Sequence, residues 1–211
     1  MNLQHKADKV YKLLLKEYPD AKTALNFKKP FQLLIATILS AQCTDVRVNK
    51  VTPPLFKKYP SIAAFAGAKQ PELEQEIRST GFFRNKAKNV IACCKEIVEN
   101  FQAEVPSTME ELKGLPGIGR KTANVVLGNA FAIPGIAVDT HVLRLTNRIG
   151  LSKNKNPVKI EFDIMKIIDK NKWTMMSHLL ISHGRNICKA RKPLCNKCII
   201  EKLCSYKGKT G

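Results

Sequence analysis

The chain has 211 residues, with 36 Lys+Arg against 17 Asp+Glu and a formal charge of +19 at pH 7. Its length supports one large or two modest domains, and 44% hydrophobic content is enough for a core, which excludes a wholly disordered chain. The charge selects for a polyanionic partner and against a small neutral or cationic ligand as the sole one.

Helical periodicity runs almost throughout. Leu3, Val10, Leu13 and Leu14 mark a first amphipathic helix ending before Pro19, and Phe31, Leu34, Ile35, Ile38 and Leu39 repeat the pattern after Pro30. The stretch Leu33 to Ala41 is mostly apolar but falls well short of the roughly 20 residues a membrane span needs. Ala87, Val90, Ile91, Cys94, Ile97 and Val98 continue the stripe. Ser107 to Glu110 fits a capping box, and Asn156-Pro157 sets a cap residue before a first-turn proline, ahead of Ile160, Ile164, Ile167 and Ile168. No alternating run is bounded by hairpin turns, so the expected fold is all-α. The N-terminus lacks the apolar core of a signal peptide, which gives a cytoplasmic reading with no membrane partner.

Seven cysteines in a reducing compartment are not a disulfide framework. Cys43, Cys93 and Cys94 fall in apolar helical patterns and read as small buried hydrophobes. Cys188, Cys195, Cys198 and Cys204 crowd into the final 24 residues, a segment with seven Lys/Arg against one acid and no helical stripe. Such a segment cannot fold on apolar burial alone, and the spacing C-x6-C-x2-C-x5-C offers four thiolates to staple it. Sulfur ligands suit zinc and iron–sulfur clusters alike, so spacing leaves the metal open. Between the first two ligands, Lys189, Arg191 and Lys192 form a basic loop, either a phosphate contact or a solvated surface.

Leu115-Pro-Gly117-Ile-Gly119-Arg120-Lys121-Thr joins one short helix to the next. Gly117 and Gly119 can take positive φ and let backbone N–H groups approach a phosphate, while Leu115 and Ile118 pack beneath the turn. This reads as a helix-hairpin-helix that grips a DNA backbone phosphate. A nucleotide-binding phosphate loop is rejected, because Arg120 stands where that motif needs glycine and no strand precedes it. Lys121, in the first turn of the following helix, is either a surface cation or a nucleophile whose amine the helix end and basic surround make easier to deprotonate. A nearby carboxylate would push the other way. Asp139, which opens the next helical stretch, is either an N-cap or that carboxylate.

The hairpin LPGIGRKTA, then VDTH with its Asp139 18 residues beyond Lys121, then the cysteine set, resembles the endonuclease III family of DNA glycosylase/AP lyases. LNFKKPFQLLIATILSAQCTDVRVNK and TGFFRNKAKNV agree, and the likeness runs from about residue 3 to Cys204. The resemblance implies two helical lobes with a DNA-binding cleft between them: a six-helix barrel over 22–132 carrying the hairpin, and a lobe from 1–21 plus 133–211 whose C-terminal loop holds one [4Fe-4S] cluster on the four cysteines. It further implies a monomer acting on duplex DNA that contains damaged bases or abasic sites, removing oxidised pyrimidines and cleaving the strand by β-elimination. Lys121 matches the nucleophile and Asp139 the assisting carboxylate. Gln42 matches the side chain that fills the vacated stack, and Phe82 aligns with an apolar wedge that is commonly leucine. Core packing is the competing reading for Phe82-Phe83. Leu115, Gly117, Gly119, Arg120, Lys189, Arg191 and Lys192 are carried over as DNA contacts, with Asp45, His141 and Arg144 in supporting roles. Adenine-removing relatives carry a glutamate in the helix where this chain reads Ala36, and no lysine at 121, so the match is to the bifunctional enzymes. A non-catalytic DNA-binding module built on the same hairpin and basic tail is the rival from another class; it binds with steep salt dependence and cleaves nothing.

Overall fold

A computed structural model describes residues 2–210. In chain order its α-helices are α1 (Leu3–Glu17), α2 (Pro30–Leu39), α3 (Asp45–Lys58), α4 (Ile62–Ala66), α5 (Gln70–Ile77), α6 (Phe83–Asn100), α7 (Met109–Gly114), α8 (Arg120–Ala130), α9 (Thr140–Ile149), α10 (Pro157–Ile167) and α11 (Trp173–Asn186). Short 3-10 turns complete the list, and no strand occurs among the described residues. The fold is all-α.

Local chemistry explains most of the helix ends. Asn2 caps α1 by accepting from the Gln4 N–H, and Asn156 caps α10 by accepting from Val158 and Lys159 with Pro157 at the first helical position. Gln32 reaches back to accept from the Lys28 and Lys29 N–H groups at 2.7 and 3.1 Å, tying down the start of α2. The capping box before α7 needs a correction: Thr108, not Ser107, is the N-cap, and it accepts from the Glu111 N–H at 3.2 Å. Ser-Thr-Met-Glu-Glu contains two overlapping Ser/Thr-x-x-Glu pairs, and the structure uses the second. Helix α3 runs through Pro53-Pro54, against the usual rule that proline breaks a helix interior. Burial of Val48, Val51, Thr52 and Leu55 along one face carries it across the two missing N–H donors.

The chain divides into two compact units, Thr23–Ile133 and Met1–Lys22 with Pro134–Gly211. In the first, α2 is the central helix: Phe31 and every residue from Leu33 to Leu39 are buried. Helix α6 packs against α4 and α5, and α8 against α2 and α7. Cys93 and Cys94 are fully buried there, and burial pushes their thiols up, to about 12 for Cys93, as befits inert core residues. Cys43 departs from expectation: it is half-buried in the turn after α2 rather than in a helix. In the second unit α11 packs on α9 and α1 around Val10, Leu14, Val142, Leu145, Ile160, Ile164 and Leu180. Gly184 permits the close approach of α11 to α9, since a Cβ there would lie 2.8 Å from His141 Nδ1.

Candidate nucleic-acid and catalytic site

The hairpin between α7 and α8 is a tight turn closed by the Ile118 N–H donating to the Leu115 carbonyl at 3.1 Å. Pro116 and Gly117 hold its central positions, and Gly117 has φ +78°, the sign a type II turn requires at its third residue. Leu115 and Ile118 are buried in the unit's core, so the turn stands on a packed base. The expectation for the second glycine is corrected: Gly119 has φ −90°, ψ 170° and serves as the N-cap of α8. Its glycine is not demanded by the backbone, and a Cβ there would meet nothing within 4 Å. The turn therefore leaves open space directly at the N-terminus of α8, where the helix dipole favours an anion. Arg120 and Lys121 are the first two residues of α8, and the Lys121 side chain is exposed. Leu115 itself is buried beneath the turn.

Two turns of the same unit carry the stack-entering candidates. Gln42 is exposed in the turn after α2 with φ 53°, and Phe82 is exposed before α6 with φ 47° and ψ 30°. Left-handed backbone is uncommon for residues other than glycine and costs about 1 kcal/mol or more. Phe82 is 64% exposed, which removes the core-packing reading for it, while Phe83 does pack against the core. Asp45 sits in the first turn of α3, beside the Thr44 cap.

In the other unit Asp139 is the N-cap of α9. Its Oδ1 accepts from the His141 and Val142 N–H groups, both at 2.8 Å, and Oδ2 takes no part in the cap. Two residues on, His141 is half-buried; burial pushes its pKa down, outweighing the nearby Asp139, with Arg144 and Arg185 acting in the same direction as burial. Arg144 Nη2 lies 3.1 Å from His141 Nδ1. The same guanidinium donates to the Gly184 carbonyl at 3.0 Å and the Cys188 carbonyl at 2.9 Å. Arg144 thus fastens the helix that Asp139 caps to the first cysteine of the tail.

All four tail cysteines, Cys188, Cys195, Cys198 and Cys204, line one cavity with Arg148, Ile187 and Tyr206. Burial pushes the Cys198 thiol up to about 11 and raises Cys204 as well, and the neighbouring cysteines add to both shifts. Four thiolates cannot coexist here without a compensating cation, which is what a metal group supplies. Donors already face the sulfurs: Arg148 Nη1 reaches Cys188 Sγ at 3.4 Å, and His183 Nε2 lies 3.3 Å from Cys198 Sγ. Burial pushes His183 down to about 4, and the Tyr18 hydroxyl lies 3.1 Å from its Nδ1. Among the described residues no three His, Cys, Asp or Glu side chains converge to single-ion distance. The donor set, four cysteines on one cavity, fits a thiolate-bound group.

Residues 35–170 match the model of the HhH-GPD superfamily of base excision DNA repair proteins. Endonuclease III of Synechocystis sp. is 54% identical over 95% of this chain and 92% of its own length. The chain belongs to the endonuclease III family. The Escherichia coli K12 member is 45% identical over 90% of each chain. Among solved structures, a trapped endonuclease III–DNA covalent intermediate superposes with a TM-score of 0.93 at 44% identity, covering 97% of both chains. A thermostable thymine-DNA glycosylase, at 23% identity and a TM-score of 0.87, shares the fold.

Reasoning from sequence names the hairpin, Lys121, Asp139 and the cysteines, but it misses Arg148 and Lys86. Arg148 donates to the Lys189 and Ala190 carbonyls at 2.7 and 2.9 Å and stacks 4.4 Å from the Tyr206 ring. The signal was present: Arg144 and Arg148, four apart, share one face of α9. Lys86 gave no signal, being one lysine among many.

Proposed function

We propose that this chain is a base-excision DNA glycosylase and AP lyase that takes oxidised pyrimidines out of duplex DNA, with Lys121 as nucleophile and Asp139 as its assisting carboxylate. Family membership supports the activity. The observation that carries the residue assignment is the exposed Lys121 in the first turn of α8, immediately beyond a glycine hairpin with open space at its helix end.

The hairpin binds a backbone phosphate through the α8 N-terminus, with Arg120 adding charge. The damaged nucleotide is flipped out, since C1′ is inaccessible within a stacked duplex. Gln42 fills the vacated position and Phe82 wedges the neighbouring stack. The Lys121 amine, deprotonated, attacks C1′; the C1′–N bond breaks and its electron pair leaves with the base, which takes up a proton. Asp139 stabilises positive charge developing on the sugar. The sugar ring then opens as C1′–O4′ breaks, giving an iminium between Lys121 and C1′. Loss of a C2′ proton expels the 3′ phosphate by β-elimination, and water releases the product aldehyde and the free lysine.

Cys188, Cys195, Cys198 and Cys204 would hold one [4Fe-4S] cluster, which supplies rigidity to a tail too polar to fold alone. No step of the chemistry requires it. The loop Lys189 to Lys192 then presents three cations to phosphate, and the protein acts as a monomer at the nucleoid. Among the described residues no helix is long and apolar enough to cross a membrane.

Borohydride reduction of the iminium tests the assignment. Wild type becomes covalently joined to lesion-bearing duplex, and Lys121→Ala does not. Undiminished trapping in that variant removes Lys121 from the role, and binding with no cleavage by the wild type favours the non-catalytic module.

A further inference from the structure

Lys86 is buried, 4% exposed, although nothing in the chemistry above uses it. Its Nζ donates to two backbone carbonyls, Leu39 and Thr80, each at 2.8 Å. Leu39 is the last residue of α2, and Thr80 the last of the 3-10 turn Arg78–Thr80. Both carbonyls lie at helical C-termini, which lack intrahelical donors and carry partial negative charge. Three residues beyond Leu39 stands Gln42, and two beyond Thr80 stands Phe82. These are the two left-handed, exposed residues of the preceding sections. Burial pushes the Lys86 amine down, and Cys43, next to Gln42, offsets part of that shift. One amino group thus takes the carbonyl end of each of the two turns.

Strained left-handed residues persist only where their surroundings over-determine them. Local bonds also hold each turn, among them Cys43 N–H to the Ser40 carbonyl at 3.1 Å and Gly81 N–H to the Arg78 carbonyl at 3.3 Å. We propose that Lys86 is a positioning residue, which fixes the spacing between Gln42 and Phe82 by tying the carbonyl ends of their two turns to one amine. The proposal rests on the reading that those two side chains enter the duplex. Lys86 touches no DNA in this scheme and acts only through them.

The test compares two substrates and two variants. Base removal from a duplex lesion requires stack entry, whereas β-elimination at a preformed abasic site in single-stranded DNA does not. Misplacing a reacting group by about 1 Å can cost on the order of 100-fold, so Lys86→Met is expected to lose roughly tenfold or more in single-turnover base removal from duplex. Its lyase rate on the single strand should stay within about twofold of wild type by the same reasoning. Lys86→Arg keeps the charge and the fold but replaces a point donor by a planar fork, and should show the same selective loss in smaller measure. A 2-aminopurine placed opposite the lesion reads stack entry directly and should lose its fluorescence rise in both variants. Equal losses on the two substrates, or an unchanged duplex rate in either folded variant, overturn the proposal. Gln42→Ala and Phe82→Ala run alongside. If they too leave duplex removal and fluorescence unchanged, the underlying reading fails and Lys86 with it; if they impair both while the Lys86 variants do not, only the role of Lys86 fails.

Discussion

The two hairpin glycines should respond oppositely to the same added methyl group. At Gly117 alanine must adopt φ +78°, which costs about 1–2 kcal/mol. Its Cβ would also lie 2.9 Å from Asn89 Cβ, an atom close to the α6 backbone that cannot swing away, and relieving such overpacking costs about 1–3 kcal/mol. The sum, about 2–5 kcal/mol, corresponds to a fall in melting temperature on the order of 4–20 °C for a chain of this size. At Gly119 the backbone already suits alanine and the space is open. The entropy gained by restricting the unfolded chain, about 0.4–1 kcal/mol, offsets the poorer N-cap, leaving stability within about 0.5 kcal/mol of wild type. That methyl, however, points into the space assigned to phosphate. Gly119→Ala should therefore weaken binding to duplex by about tenfold, roughly 1.4 kcal/mol. Circular-dichroism melts and fluorescence-anisotropy titrations at several salt concentrations separate the two effects. Wild-type affinity in Gly119→Ala, or equal destabilisation by both substitutions, would refute the hairpin as a phosphate grip.

Asp139→Asn keeps an oxygen for the α9 cap and should melt near wild type while losing most base removal. Asp139→Ala loses the cap as well, at about 1 kcal/mol, visible as a lower melting temperature. If Asp139→Asn retains full activity, Asp139 is a cap and nothing more. For the tail, purified protein should be brown and carry iron on the four cysteines, and Cys188→Ser should weaken DNA binding more than it slows the chemistry of bound complexes; colourless protein with stoichiometric zinc would overturn the cluster.

Much of this molecule was readable because periodicity and capping are local. The stripes of α1, α2, α6 and α10 follow from side-chain spacing, and Asn156-Pro157 marks a helix start without tertiary help. The hairpin was legible for the same reason, its turn chemistry lying within four residues. What escaped the sequence was set at a distance. Which of two overlapping cap pairs starts α7, and how α3 passes Pro53-Pro54, depend on what the helix faces bury. Cys43 continues the apolar spacing of α2, yet the helix ends at Leu39, whose carbonyl accepts from a buried lysine of α6. No pattern in the lysines marks Lys86 as that one.

The placement of the acids gives the charge excess its direction. Asp8 pairs with Lys12 and Lys172 at 2.9 Å each, Asp169 with Lys172 at 2.8 Å and Glu76 with Lys58 at 2.8 Å; Glu201 holds Lys209. None of these pairs takes in Lys121, Lys189, Arg191 or Lys192. In the tail loop the backbone makes the same division. Arg148 collects the Lys189 and Ala190 carbonyls on its inner side, and the Lys189, Arg191 and Lys192 side chains stand exposed. Negative dipole ends are thus turned inward onto a fixed guanidinium while mobile cations face solvent. A loop built this way gains little for its own stability from exposed charges, whose pairing is worth about 0–1 kcal/mol at best. On the proposed reading its cations release counterions from a phosphate backbone, and each phosphate they neutralise should steepen the logarithmic salt dependence of binding by about 0.9.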